Sequence, residues 1–153
     1  MAQRLPELQL SIQYPGGKAH TPTRTQVRRW VRASCTAVFS APAQITVRFV
    51  DEIEGRDLNH HWRAKNYATN VLSFPYHHDE ALLCGDLIIC SAVVLREAEE
   101  QKKPLDAHFA HLIVHGMLHL QSYDHETNEA DARIMEAKEY EILNALGYPD
   151  PYA

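Results

Sequence analysis

Residues 82–90 read LLCGDLIIC, a short apolar run of the length expected for a buried β-strand, bounded by acidic and turn residues. Two other segments share this character: ITVRFV at 45–50 is rich in β-branched residues, and NVLSF at 70–74 is a shorter apolar run. Near the start of the chain, LQLSIQ at 8–13 alternates apolar and polar residues, which is the period of a half-buried strand. Together these segments predict four strands.

Helices are predicted between and beyond these strands. A helix over about 22–39 follows Thr21 as its N-cap, and its apolar residues recur every three or four positions. The other helices are expected over 52–63, over 92–102, from Asp106 onwards, and from Thr127 to Gly147. Four strands and about five helices predict one small α/β (α+β) domain over residues 1–153, with a four-stranded mixed sheet and a frayed tail from Tyr148 to Tyr152.

Composition excludes several classes of protein. The chain has 153 residues, no apolar run near the roughly 18 residues of a membrane span, and no signal-peptide pattern over Met1–Leu10. These features predict a cytoplasmic protein without membrane contact. Three cysteines, Cys35, Cys84 and Cys90, form no Cys-x-x-Cys pair, so we expect reduced thiols rather than a disulfide framework or a four-cysteine zinc module.

Charge is distributed unevenly along the chain. The net charge is −5, yet residues 1–50 contain seven basic residues and one acidic residue, a balance of +6, which leaves −11 for the remaining 103 residues. Most of the basic residues fall on the predicted helix at 22–39. This polarity fits either a surface that binds a polyanion or an ordinary solvated helix surface.

Ten histidines are present, and three of them lie in HGMLHLQSYDH at 115–125. On a helix, His115 and His119 stand one turn apart and can reach the same metal ion. If the chain leaves the helix near Ser122 and folds back, His125 completes three nitrogen ligands on a helix and the following turn, which leaves a fourth tetrahedral position for water. We therefore predict a catalytic site with one zinc ion per chain.

Other arrangements of these residues stay open at this point. His108 and His111 could be partly exposed polar residues, and His111, one turn before His115, could instead support a metal ligand. A closed structural site would need a fourth ligand from His111, Cys84 or Cys90. Three-histidine sites also accept nickel, copper or iron.

The spacing H-x3-H-x5-H is shared with the metzincin peptidases, which carry a glutamate general base directly after the first histidine. Here that position is Gly116. A peptidase of this class would lack the group that deprotonates its water. We therefore expect a different chemistry on the same metal geometry.

The same segment, together with LNHHWRAKNYATNVLSFP at 58–75 and GDLIIC at 85–90, resembles the YbeY family of bacterial endoribonucleases. The resemblance extends from about residue 45 to residue 145. It implies a zinc-dependent endoribonuclease that cuts single-stranded RNA, matures ribosomal RNA at the 3′ end of the small-subunit RNA, and takes part in ribosome quality control. Its implied partners are single-stranded RNA, ribosomal RNA and the ribosome or its small subunit, with no DNA expected.

The resemblance also assigns site residues. Carried over by position, the metal histidines of the family fall on His115, His119 and His125, and its functional arginine falls on Arg63. The family usually has glycine where this chain has Ser122. If the chain turns through a left-handed conformation there, a residue other than glycine costs about 1–2 kcal/mol, which a bound metal can offset.

Given that resemblance, Arg63 is the predicted phosphate-binding residue, because a guanidinium donates two parallel hydrogen bonds to phosphate oxygens and keeps its charge. A surface ion pair with Asp57 is the alternative. The general base stays unassigned, since Asp86 and Asp124 are both carboxylate candidates. The 2′-hydroxyl of the RNA could also attack without any water.

Aromatic residues near these motifs could contact unpaired bases. Trp62, Tyr67 and Tyr123 are candidates for stacking. Phe74 follows Leu72 by two residues and is expected on the core face of its strand.

Two other functions are weighed against RNA hydrolysis. One is a ribosome-associated protein whose zinc is structural and which has no nuclease activity of its own, and the other is a metzincin-like peptidase. The polarised charge favours a polyanion over a peptide, and Gly116 argues against the peptidase.

Overall fold

The computed structural model describes residues 7–36, 42–79, 82–121 and 128–152. Within these ranges the chain forms four strands and five helices: β1 Leu8–Gln13, α1 Arg24–Thr36, β2 Ala43–Val50, α2 Glu52–Arg63, β3 Val71–His78, β4 Leu83–Cys90, α3 Ser91–Gln101, α4 Leu105–Leu120 and α5 Glu129–Leu146. The predicted fold class is confirmed, and α2 has the predicted bounds. The predicted ligand His125 lies outside the described residues, as do Ser122, Tyr123, Asp124 and Thr127.

One mixed sheet forms the centre of the domain, with the strand order β1-β2-β4-β3. β2 pairs parallel with β1 on one side and with β4 on the other. β3 pairs antiparallel with β4, and a register shift interrupts this ladder between Pro75 and His77. Because Pro75 has no N–H to donate, it is tolerated on this edge strand next to the irregularity.

Side chains of the sheet alternate between two cores. On β4, Leu87 and Ile89 face the main core, which α1, α4 and α5 complete, while Ile88 and Cys90 face a smaller core beside α2. Ten of the 16 residues of α4 are buried, so this helix lies within the main core. Polar side chains on α4 therefore need hydrogen-bond partners within the protein.

α2 carries Arg63 at its C-terminal end. Asp51 caps the N-terminus by accepting a hydrogen bond from a backbone N–H of the first turn at 2.8 Å. Ala64 ends the helix in a left-handed conformation with φ of 56°. In the first turn, a Cβ added to Gly55 would lie 3.3 Å from Cβ of Cys90, so α2 packs closely on the end of β4.

The predicted starts of α1, α3, α4 and α5 were each wrong by one or two residues. α1 is capped by Thr23 rather than Thr21, because Thr23 and Gln26 form a reciprocal capping box: the N–H of Gln26 donates to the Thr23 hydroxyl at 3.2 Å, and the N–H of Thr23 donates to the Gln26 side chain at 2.9 Å. α4 begins one residue before Asp106, directly after a proline whose φ of −58° leads into the helix.

The cysteines and the lengths of the helices test two predictions from composition. All three cysteines are free thiols, as predicted. No helix in the described ranges combines the length and the apolar character needed to cross a membrane.

Candidate functional site

Four histidines form a stripe along one face of α4. His108, His111, His115 and His119 follow one another at intervals of three or four residues, so their rings lie one above the next. The centroids of neighbouring rings are 4.6 to 6.3 Å apart. This histidine stripe is the polar strip of an otherwise buried helix.

His115 is held between two partners. Its Nδ1 lies 2.7 Å from Oε1 of Glu139 on α5, and its Nε2 lies 3.1 Å from Nε2 of His119. The His115 side chain is 19% exposed, and the Glu139 side chain is completely buried. The two nitrogens of one ring therefore have different surroundings, with Nδ1 directed into the core and Nε2 directed to the next turn of α4.

Glu139 has two further hydrogen-bonding partners: Nε2 of His111 at 2.9 Å and the hydroxyl of Tyr152 at 2.8 Å. Burial by itself would raise the pKa of this carboxyl, but hydrogen bonds from His111, His115 and Tyr152 lower it to about 2. Glu139 is thus ionised at neutral pH and can only accept hydrogen bonds. A neutral His115 must then carry its proton on Nδ1, which leaves the lone pair of Nε2 on the side of His119.

His111, His115 and Glu139 form a cluster that could hold a metal ion, since one candidate ligand atom from each lies within 4.8 Å of the others. Neither Cys84 nor Cys90 joins this cluster or a similar one among the described residues. The structural site closed by a cysteine is therefore not observed in that part of the chain.

The predictions for the individual histidines have different outcomes in the structure. His115 and His119 are brought together, as the helical spacing predicts. The prediction of a partly exposed His108 was wrong: its side chain is only 4% exposed and bonds to Glu97 of α3 at 3.0 Å, because this end of the stripe faces α3. His111 is hydrogen bonded to the same carboxylate as His115 and belongs to the cluster that could hold a metal ion, so its roles as a supporting residue and as a ligand both stay predictions.

The position used by the metzincin general base is closed by packing. A Cβ added to Gly116 would lie 2.8 Å from Cδ2 of Leu87 and 3.2 Å from Oγ of Ser73. A glutamate side chain has no space there unless the buried Leu87 side chain or α4 itself shifts. The other described carboxylate candidate, Asp86, accepts a hydrogen bond from the Tyr76 hydroxyl at 2.9 Å.

Arg63 lies in a cleft beside the edge strand β3. The cleft has a volume of about 490 Å³ and is lined by Trp62, Arg63, Lys65, Leu72, Ser73 and Phe74. Among the described residues, the guanidinium of Arg63 forms no ion pair or hydrogen bond, so the alternative pair with Asp57 is not observed. Of the lining residues, Ser73 also contacts α4, since its Oγ lies 3.2 Å from the position of a Cβ on Gly116.

Aromatic side chains define the outer wall of the cleft. Trp62 is 62% exposed and meets the rings of His61 and Phe74 edge-on, at centroid distances of 4.9 and 5.9 Å. Phe74 is half-buried and packs against the smaller core, so the prediction of a core residue is confirmed in part. Tyr67 is exposed and does not line the cleft.

Comparison with known proteins identifies the family. Residues 16–147 match the family model described as Endoribonuclease YbeY. The chain belongs to the YbeY family. A relative named Endoribonuclease YbeY from Paraburkholderia phymatum is 52% identical to it, over 97% of this chain and 98% of the relative. Another of that name, from Aromatoleum aromaticum, is 54% identical over 89% of this chain and 84% of the relative.

The YbeY-type fold is also found among solved structures. The solution structure of TM1509 from Thermotoga maritima matches with a TM-score of 0.59 and 21% sequence identity, over 93% of this chain and 97% of that one. At this identity the likeness concerns the fold alone.

Sequence reasoning missed two residues of this YbeY family member that are hydrogen bonded at the histidine stripe, Glu139 and Tyr152. A signal for Glu139 was present, because it falls on the apolar stripe of α5 between Met135 and Ile142, where a glutamate is out of place. Tyr152 was overlooked because the tail was expected to fray. That expectation was wrong, since Tyr152 bonds to Glu139 and Tyr148 packs edge-on against a buried tryptophan of α1.

Proposed function

We propose that the protein is a zinc-dependent endoribonuclease that cuts single-stranded RNA. The observation that carries the proposal is the pair of imidazole nitrogens, His115 Nε2 and His119 Nε2, which are 3.1 Å apart and backed by a buried carboxylate. Membership of a family named for endoribonuclease activity supports the same reaction.

The donor set fits zinc held by His115, His119 and His125, with one ion per chain. Two ligands of a tetrahedral zinc ion at 2.0–2.1 Å lie about 3.3 Å from each other, close to the distance between the two Nε2 atoms. The distances of 2.7 and 2.9 Å from Glu139 to His115 and His111 are shorter than this and match hydrogen bonds. Glu139 therefore supports a ligand rather than serving as one.

The protein contributes charge and shape to RNA cleavage. A bound zinc ion supplies Lewis acidity to a phosphate oxygen or to water. The guanidinium of Arg63 binds the scissile phosphate through paired hydrogen bonds and stabilises its growing negative charge. Since Gly116 leaves no side chain to act as a base next to His115, the 2′-hydroxyl of the RNA stays open as the attacking group.

Unpaired RNA is the substrate that suits the cleft. The exposed ring of Trp62 offers a stacking surface for a base, and Arg63 and Lys65 place two positive charges beside it. A base within a duplex is already stacked on its neighbours and has no free face for Trp62. Arg24, Arg28 and Arg29 of α1 are exposed and give this helix a basic surface, which supports a polyanion as the partner.

In the cell, we place this activity in the cytoplasm, in maturation of ribosomal RNA at the 3′ end of the small-subunit RNA and in ribosome quality control. The ribosome or its small subunit is the proposed partner. This context rests on the family resemblance of the motifs around Arg63 and His115.

The test is cleavage of a labelled RNA that contains single-stranded and duplex segments, by wild type, Arg63→Ala and Arg56→Ala at equal zinc content. Arg56 is an exposed arginine on the same helix and serves as the matched control. We expect wild type and Arg56→Ala to cut the unpaired segments alike, and Arg63→Ala to be about 100-fold slower or more.

Equal cleavage by wild type and Arg63→Ala would remove Arg63 from the phosphate. If zinc-loaded wild type cuts no RNA, a ribosome-associated zinc protein without nuclease activity replaces the proposal. Cutting of duplex and unpaired segments at equal rates would contradict the preference for single strands.

A further inference from the structure

We propose that Glu139 and Tyr152 form a positioning pair that orients His115 for zinc. The proposal rests on the zinc site of the proposed function and adds two residues behind it, one on α5 and one near the C-terminal end of the described chain. Neither residue would touch the metal or the RNA.

Glu139 is placed to select one protonated form of the His115 ring. Its carboxylate is completely buried, and Oε1 lies 2.7 Å from Nδ1 of His115. A carboxylate with no proton accepts only, so it selects the ring form with hydrogen on Nδ1. That form leaves Nε2, the atom beside His119, as the nitrogen with a lone pair for a metal.

A further contact fixes Glu139 itself. The hydroxyl of Tyr152 donates to Oε2 at 2.8 Å, and the Tyr152 ring packs edge-on against His111 at a centroid distance of 5.5 Å. Next to it, the backbone oxygen of Pro151 accepts a hydrogen bond from Nζ of Lys103 at 3.3 Å. The tail is thus tied to the connection between α3 and α4, and Tyr152 bonds to Oε2 of Glu139 while His115 bonds to Oε1.

Packing gives no reason for a charge at position 139. The neighbouring buried positions of α5 are Met135, Ile142 and Leu143. A leucine at 139 would complete this apolar stripe, but it would leave His111, His115 and Tyr152 without the acceptor to which each now bonds, which is strongly destabilising. What a leucine cannot do is accept a hydrogen bond from His115.

The experiment measures zinc affinity without RNA, by competition with a chromophoric chelator, for wild type, Glu139→Gln, Glu139→Ala and Tyr152→Phe. Glu97→Gln is the matched control, since Glu97 also bonds to a histidine of α4 but at the far end of the stripe. We expect Glu139→Ala to weaken zinc binding about 10- to 100-fold. Glu139→Gln retains an acceptor oxygen and should lose less, Tyr152→Phe should lose only a few-fold, and Glu97→Gln should match wild type.

A second measurement reports which nitrogen of the His115 ring carries the proton. In the zinc-free protein, long-range proton–nitrogen NMR spectra should show His115 protonated on Nδ1 in wild type and in Glu139→Gln. The Ala variant should lose this preference. If Glu139→Ala does not fold, Glu139→Gln and the mild Tyr152→Phe still decide the matter.

Several results would overturn the proposal. Unchanged zinc affinity in the folded Glu139 variants makes Glu139 a core residue only, and equal weakening in Glu97→Gln makes the effect one of stability. Loss of zinc in Glu139→Ala with full retention in His119→Ala places the ion on Glu139 itself. A wild type that binds zinc and cuts no RNA rejects the proposed function while leaving the positioning pair to be judged on affinity, and a wild type that binds no zinc rejects both.

Discussion

Two carboxylates bind histidines of the same helix, and their surroundings differ. Glu97 on α3 bonds to His108 at 3.0 Å and also accepts from Asn70, and its side chain is 28% exposed. Glu139 on α5 bonds to His115 at 2.7 Å and is completely buried. By distance and chemistry the two pairs are alike, and both join α4 to a neighbouring helix.

The difference lies in the second nitrogen of each histidine. Among the described residues, Nδ1 of His108 is buried without a hydrogen-bond partner, so that pair ends in the core and acts as a brace. Nε2 of His115 instead lies 3.1 Å from the ring of His119. A buried histidine–carboxylate pair therefore does not mark a metal site by itself. The direction of the second ring nitrogen distinguishes a pair that supports a metal ligand from one that only stabilises the fold.

The largest expected effect separates the two carboxylates by stability. Glu139→Ala leaves two half-buried histidines and a tyrosine hydroxyl without their acceptor, and we expect the free energy of unfolding of the zinc-free protein to fall by about 4 kcal/mol. Glu97→Ala should cost about 2 kcal/mol, since Glu97 is itself 28% exposed and has two hydrogen-bonding partners rather than three. Urea denaturation of both variants measures this, and equal losses would show that the pairs do not differ.

The next effect separates the two histidines by metal binding. His119→Ala removes a proposed ligand and should weaken zinc binding more than about 100-fold, beyond what loss of a supporting partner costs. His108→Ala should leave zinc affinity within about two-fold and lower stability instead. Competition titrations provide the comparison, and it fails if His108→Ala loses zinc as strongly as His119→Ala.

Substitution of Gly116 tests how closely α4 packs on the sheet next to His115. Gly116→Ala should destabilise the protein by about 1–3 kcal/mol, because its Cβ would lie 2.8 Å from Cδ2 of the buried Leu87. The same substitution at Gly147, where an added Cβ meets nothing within 4 Å, tests backbone strain without crowding. Thermal unfolding distinguishes the two, and an unchanged melting temperature in Gly116→Ala would show that α4 is not held close to the sheet.

The smallest expected effect is the pH dependence of the stability that the pair of Glu97 and His108 provides. Burial raises the pKa of Glu97, but hydrogen bonds from His108 and Asn70 outweigh it and lower the pKa below its ordinary value of 4.5. The stabilisation is therefore complete above about pH 4.5 and is lost as pH falls through the lowered value. Wild type should exceed Glu97→Gln by about 1 kcal/mol at pH 7, and this gap should shrink below pH 4.5. A gap that widens on acidification would have the wrong sign.

Much of the fold could be predicted because its elements follow local patterns. α2 was predicted with its observed bounds as a short helix between two strands, and the paired spacing of His115 and His119 follows from the helical repeat alone. The start of α1 was misplaced because Thr21 and Thr23 both resemble N-caps. Only the reciprocal bond with Gln26 decides between them.

The rest of the site depends on contacts between distant parts of the chain. Glu139 reaches His115 only because α5 packs against α4, and no local pattern states which face of α5 that is. Tyr152 follows two prolines in a segment without regular secondary structure, so nothing in its neighbours indicates a fixed position. Its role emerges only once the buried carboxylate is known to need a third donor.

The central claim is that His115 and His119, backed by Glu139, hold a zinc ion that RNA cleavage requires. The most direct measurement removes zinc with a chelator, dialyses the chelator away, and follows cleavage of a labelled single-stranded RNA while zinc is returned stepwise. Cleavage should disappear on removal, return in proportion to added zinc, and saturate at one ion per chain in wild type but not return in His119→Ala. Cleavage that persists in the zinc-free protein, or that returns equally in His119→Ala, would contradict the claim.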